Sequence, residues 1–154
     1  MKLLQCALYI AVIGIVSNPA GNLLPRSWFH AERFPYRCYA WEQEGKIYEK
    51  LHIRAWKDRL PDMSKIVKAM FRKEVSAKPT AESVERLVQE TCVAEAVHGV
   101  LIVLSLGVVR IWRGIGGGIC WGLCVLGNLP FIIIQRYNRP RLSRTLKRLQ
   151  AKAQ

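Results

Sequence analysis

The sequence predicts an all-α membrane protein with about three transmembrane helices plus basic amphipathic interfacial helices. Three observations predict it. The stretches 3–25, 96–109 and 114–135 carry no charged residue. All eleven Asp and Glu fall between Glu32 and Glu95. The 24 Lys and Arg crowd the segments beside the apolar stretches, for a net charge of +13. A chain of 154 residues that is 51% hydrophobic, with five Trp, is neither disordered, collagen-like nor coiled coil. The length suits a single membrane domain, 1–154, with spans at about 3–24, 94–112 and 114–135, a cytosolic or interfacial loop 25–93 and a basic tail 136–154.

A membrane helix needs about 20 mostly apolar residues, so the first and third stretches qualify by length. The second covers only about 21 Å at about 1.5 Å per residue. It spans if Arg110 and Arg113 snorkel, if the bilayer thins, or if the helix starts deeper than its charges suggest. Lys2 ahead of an apolar run ending near Ser17-Asn18-Pro19-Ala20 also fits a cleaved signal peptide, but the single charge favours a retained membrane helix. Fourteen basic residues lie between Pro25 and Glu95 and seven more from Arg136 onward. Basic loops stay in the cytoplasm, which predicts a multi-pass cell-membrane protein with a cytoplasmic C-terminus and the turn 110–113 outside.

Pro19, Gly21 and Pro25 should end the first helix. Trp28, Phe29, Phe34, Tyr36, Tyr39 and Trp41 then interleave with arginines, a composition suited to a headgroup layer. Stacking of nucleic acid bases is the weaker reading for a chain tied to a bilayer, so no nucleic-acid partner is expected. Helical spacing of Tyr48, Leu51, His52, Ala55 and Trp56 predicts a short helix over 45–56. Pro61 breaks it and Asp62 can cap the next, a basic amphipathic helix with Met63, Ile66, Val67, Met70 and Phe71 on one face. Thr80 should cap a further helix whose stripe of Val84, Leu87, Val88, Thr91, Ala94, Glu95 and His98 leads into the second span. Gly114, Gly118 and Gly122 leave bare backbone on the third span, suited to close approach of the second span or to a homo-oligomer. Pro140 should open a last basic amphipathic helix with Leu142, Leu146 and Leu149 against Arg144, Lys147, Arg148 and Lys152. Five cysteines, an odd number with no CxxC pair, support neither a disulfide framework nor a zinc knuckle.

Ionisable groups at membrane depth are costly, and are functional candidates for that reason. Glu95 and His98 stand one helical turn apart, so the carboxylate can orient the imidazole, and such a dyad can take a proton from a hydroxyl. Asn128 and Gln135 offer amides for an oxyanion. Arg136, Asn138, Arg139 and Arg141, with Trp56 and Lys57, make a basic mouth suited to phosphates. A metal held by Glu90, Glu95 and His98, completed by His52 or Asp62, is the rival use, and no metal-binding motif supports it.

The block Asn128-Leu-Pro130-Phe-Ile-Ile-Ile-Gln135-Arg136-Tyr137-Asn138-Arg139-Pro140-Arg141-Leu142, preceded by Glu90-Thr91-Cys-Val-Ala94-Glu95-Ala-Val-His98 and by Arg54-Ala-Trp56-Lys57, resembles the glycosyl-4,4'-diaponeurosporenoate acyltransferase family. The likeness is strongest in Gln135 to Arg141; the first span and the external turn resemble the family only in hydrophobicity. The resemblance implies a membrane transferase of carotenoid biosynthesis that puts a fatty acyl group on the sugar hydroxyl of a glycosylated carotenoid acid. It carries over no catalytic residue.

The combined expectation is an acyltransferase in which His98, oriented by Glu95, activates the hydroxyl of a lipid-linked acceptor. Asn128 or Gln135 would steady the oxyanion, and the arginines would hold the donor. No cofactor or metal is expected, acyl-coenzyme A or acyl carrier protein being a donor substrate. A non-catalytic scaffold that recruits a protein or anionic lipid, and a metal-dependent lipid hydrolase, are the alternatives.

Overall fold

The computed structural model describes residues 1–60 and 79–153. The amphipathic helix expected over 63–73 and the cap at Asp62 lie outside them. Among the described residues the elements are α1 (Lys2–Leu23), 3-10 helices at Arg26–Trp28 and Ala40–Leu51, α2 (Ile53–Trp56), α3 (Ala81–Ser105), α4 (Gly107–Ile111) and α5 (Ile115–Lys152). Three helices, Lys2–Leu23, Ala81–Ile111 and Ile115–Lys152, are long and apolar enough to cross a membrane. The chain is therefore an all-α membrane protein. It forms two compact units, one of residues 1–29 and 92–135, the other of 30–91 and 136–154.

In the first unit α1 runs through Pro19 to Leu23 and stops before Pro25, close to the expected span 3–24. Most of it presents apolar side chains outward, Leu4 and Ile15 being about seven-tenths exposed, as a lipid-facing helix does. Its other face packs Cys6, Tyr9 and Ile10 around Val108 of α4 and Cys120 of α5. The length problem of the second span disappears because the helix starts at Ala81, fifteen residues ahead of the uncharged stretch, and gives 31 residues to Ile111. It breaks once, at Leu106. There the Tyr9 hydroxyl donates to the Leu104 carbonyl at 2.8 Å. A Cβ on Gly107 would stand 2.5 to 3.0 Å from the Tyr9 ring, so only glycine leaves room for this wedge.

As a contact with the second span, the glycine expectation is corrected in position. Nothing lies within 4 Å of where a Cβ would sit on Gly114, Gly118 or Gly122. The close approach falls at Gly117, whose Cβ would meet the Val109 backbone at 3.0 Å and the Trp112 carbonyl, and at Gly116, against the Trp112 ring.

The expected short helix over 45–56 is corrected in the second unit. A 3-10 helix begins at Ala40, turns through left-handed Gln43, Glu44 and Gly45, and ends at left-handed His52 before the single turn of α2. Glu42 is buried on one side of that turn and Tyr48 on the other. A side chain on Gly45 would meet the Tyr137 carbonyl at 3.2 Å and Arg141 at 3.1 Å, with φ at +85°. Glycine at this position lets the loop lie against the α5 backbone. Thr80 caps α3 as expected: its hydroxyl accepts from the Ser83 amide at 3.2 Å, and Ser83 Oγ accepts from the Thr80 amide at 3.1 Å.

The separate tail helix is also corrected. α5 runs unbroken through Pro130 and Pro140 to Lys152. An interior proline costs about 3 kcal/mol. Around Pro140 that cost is offset by side-chain bonds from Arg136, Arg139 and Arg141 to segments of the same unit. The predicted amphipathic stripe survives within the longer helix, with Leu142, Leu146 and Leu149 half-buried and Arg144, Lys147 and Arg148 exposed.

Candidate active site

His98 sits half-buried on α3 and Asn128 on α5, and their side chains meet with Nδ1 2.8 Å from Oδ1. The Asn128 amide nitrogen donates to the Cys124 carbonyl at 2.9 Å, one turn back on its own helix, and lies 3.5 Å from Cys124 Sγ. Phe131 stacks on the imidazole, with ring centres 4.6 Å apart and planes 5° from parallel. The sequence puts these groups together because Asn128 and Phe131 are three residues apart and share a helix face. One fixes the edge of the imidazole and the other its plane. Glu95 is half-buried one turn before His98, and Gln135 is half-buried seven residues after Asn128. A ring held this firmly in an apolar helix pair can accept and return a proton in place.

The predicted basic residues belong to the second unit, where Arg136, Arg139 and Arg141 hold the fold. Arg136 donates Nε to Glu42 Oε1 at 2.7 Å and Nη2 to Oε2 at 2.9 Å, a paired fork on a carboxylate that is 1% exposed. The Tyr39 amide and the Tyr48 hydroxyl also donate to Glu42, at 2.7 and 2.6 Å. Burial pushes the Glu42 carboxyl up, but the hydrogen bonds from Arg136, Tyr39 and Tyr48 bring it below the ordinary carboxylate value. Tyr48 moves the other way, far up, through burial first and its bond to Glu42 second.

Arg139 is 3% exposed. It donates Nε to Thr91 Oγ1 at 2.9 Å, Nη2 to the Thr91 carbonyl at 3.0 Å and Nη1 to the Tyr36 carbonyl at 2.7 Å. Arg141 stacks on the Tyr137 ring at 3.6 Å and donates to Glu49 at 2.8 Å. Arg54 donates to the Tyr137 hydroxyl at 3.1 Å. Trp56 gives its indole N–H to the Leu51 carbonyl at 2.8 Å, Lys57 lies 3.4 Å from Asp58, and Asn138 is half-buried. Tyr36, Cys38, Glu42, Arg136, Arg139 and Pro140 line a crevice with room for a water-sized molecule and not for a substrate. Among the described residues no three His, Cys, Asp or Glu side chains gather as a metal site.

Glu42 and Thr91 are the partners that sequence reasoning missed. Neither spacing nor composition distinguishes Glu42 from the other acids of the loop. Thr91 was legible as a member of the apolar stripe, but not as the acceptor for an arginine 48 residues away.

A family model described as glycosyl-4,4'-diaponeurosporenoate acyltransferase matches residues 25–148. The chain belongs to that family. The match covers the acyltransferase family's resemblance block at 128–142 as well as Glu95 and His98, and it begins just beyond α1. The chain is 26% identical over 152 residues to the glycosyl-4,4'-diaponeurosporenoate acyltransferase of Staphylococcus aureus strain MRSA252, and 25% identical to that of strain bovine RF122 / ET3-1. Each comparison covers 97% of this chain and 90% of the relative. No solved structure matches.

Proposed function

We propose that this member of the acyltransferase family moves a fatty acyl group from an acyl thioester to a hydroxyl of a lipid-linked acceptor, with His98 as general base. The acceptor class taken from the family's name is a glycosylated carotenoid acid. His98 takes the hydroxyl proton as the oxygen attacks the thioester carbonyl. The tetrahedral intermediate then expels the thiolate, which takes that proton from the imidazolium, leaving an ester and a free thiol. Glu95, one turn away, would stabilise the imidazolium as it forms. The amide of Gln135 would donate to the oxyanion.

The single observation that carries this reading is a half-buried imidazole held on an edge and a face, by Asn128 and Phe131, inside an apolar helix pair. Such a group is expensive to keep at membrane depth without a use. A donor on coenzyme A or acyl carrier protein is anionic and suits basic side chains. In the second unit Arg136, Arg139 and Arg141 all hold the fold, and Arg141 still keeps 31% and Lys57 26% of its side chain exposed. The excess of basic residues in 25–95 and 136–154 supports a cytoplasmic C-terminus. The reaction as written needs no resident cofactor.

The test is acyl transfer in proteoliposomes with glycosyl-4,4'-diaponeurosporenoate as acceptor and a long-chain acyl-coenzyme A or acyl carrier protein as donor. His98→Ala, with expression and folding checked, should abolish turnover. Unchanged turnover would refute His98 as the base.

A further inference from the structure

We infer that Asn128 is a positioning residue that holds neutral His98 in the tautomer with the proton on Nδ1 and the lone pair on Nε2. The inference rests on the reading of His98 as base, and it specifies which nitrogen acts. An amide side chain has one end that donates and one that only accepts. The donating end of Asn128 is used at the Cys124 carbonyl, 2.9 Å away on its own helix, which fixes the direction of the amide. Its oxygen therefore faces His98 Nδ1 at 2.8 Å. An amide oxygen cannot donate, so the hydrogen in that contact belongs to the imidazole. A neutral ring with its proton on Nδ1 has its lone pair on Nε2, the nitrogen directed away from Asn128. The parallel Phe131 ring keeps the imidazole from rotating out of this plane.

Two consequences follow for the reaction. The acceptor hydroxyl must approach Nε2, because Nδ1 carries a proton that Asn128 already receives. Asn128 is also not the oxyanion donor that its residue type first suggests, because its N–H points to the Cys124 carbonyl and sulfur. That role is left to another group.

The tautomer is directly readable. Full-length protein with 15N-labelled histidine, reconstituted in lipid bilayers, gives nitrogen shifts that separate Nδ1–H from Nε2–H. His98 is assigned against His98→Gln, since His30 and His52 are the other two histidines. Wild-type His98 should read as Nδ1–H, and Asn128→Ala should move it toward Nε2–H. Turnover of Asn128→Ala should fall on the order of 10²-fold, the scale of correctly placed proton transfer, while Asn128→Asp, which keeps the acceptor oxygen, should recover most of it. An Nε2–H signal in the wild type, or a signal unmoved by Asn128→Ala, overturns the inference while leaving His98 as a base. Full turnover in His98→Ala instead overturns the base itself, whatever the tautomer.

Discussion

Arg136 and Glu42 are joined by two parallel hydrogen bonds of 2.7 and 2.9 Å, across 94 residues of sequence. The carboxylate is 1% exposed and the guanidinium side chain 13%, so the pair is out of reach of solvent screening. Removing one member of such a pair leaves the other as an uncompensated buried charge, which costs about 3–5 kcal/mol. Glu42→Gln and Arg136→Met should each lower thermal stability in detergent by that order. The double variant should lose clearly less than the sum of the two, and simple additivity in a double-mutant cycle would show that the pair does not couple.

The same carboxylate gives the second unit an acid limit. Its ionisation is favoured in the folded state, so its contribution is fully present above the unfolded-chain value of about 4.3 and is lost as pH falls through the lower folded value. Tm should stay nearly level from neutral pH down to about 5 and then fall. Glu42→Gln should be less stable at neutral pH, and its gap to the wild type should narrow below about pH 4. A gap of constant size across that range would contradict the shift.

Gly45 combines a φ of +85° with a 3.2 Å approach to the Tyr137 carbonyl. Gly45→Ala meets both obstacles at once and should destabilise the protein by about 1–3 kcal/mol. Gly118→Ala, on an open helix face, is the matched control and should be neutral or mildly stabilising. Equal thermal shifts for the two variants would rule out the left-handed turn as the reason for glycine at 45.

Phe131 stacks on His98 with ring centres 4.6 Å apart, so in the proposed mechanism it would fix the ring plane without taking part in the proton transfer. Phe131→Leu keeps the apolar volume and removes the stacking, worth about 0.5–1.5 kcal/mol in aromatic pairs. Turnover should drop by roughly 2- to 10-fold, with KM for the donor unchanged. A change confined to KM would assign Phe131 to substrate binding.

The helices were legible because hydrophobic length and loop charge report directly on them. Thr80 was legible as a cap because a threonine ahead of an apolar-periodic run has few other uses. The bundle-side pairing of His98 was only half legible. An ExxH spacing directs attention along one helix, to Glu95, whereas the partner at Nδ1 comes from a different helix 30 residues on. Proline misled at 140, where the sequence rule puts a helix start. At Pro140 the local penalty is overridden by bonds from Arg136, Arg139 and Arg141, whose partners Glu42, Thr91 and Glu49 no local pattern identifies. Arginines that read as a phosphate grip were, for Arg136 and Arg139, also the staples of their own unit.

The wedge of Tyr9 at Leu106 gives the N-terminal helix a duty that its greasy composition conceals. A helix that breaks inside hydrocarbon can bare a carbonyl, and no water is at hand to cover it. The phenol of Tyr9 gives the Leu104 carbonyl a donor at the break, so the polar cover of the second span there comes from two helices rather than from one. Trading the phenol for a plain ring would leave that carbonyl without the donor the first helix lends it.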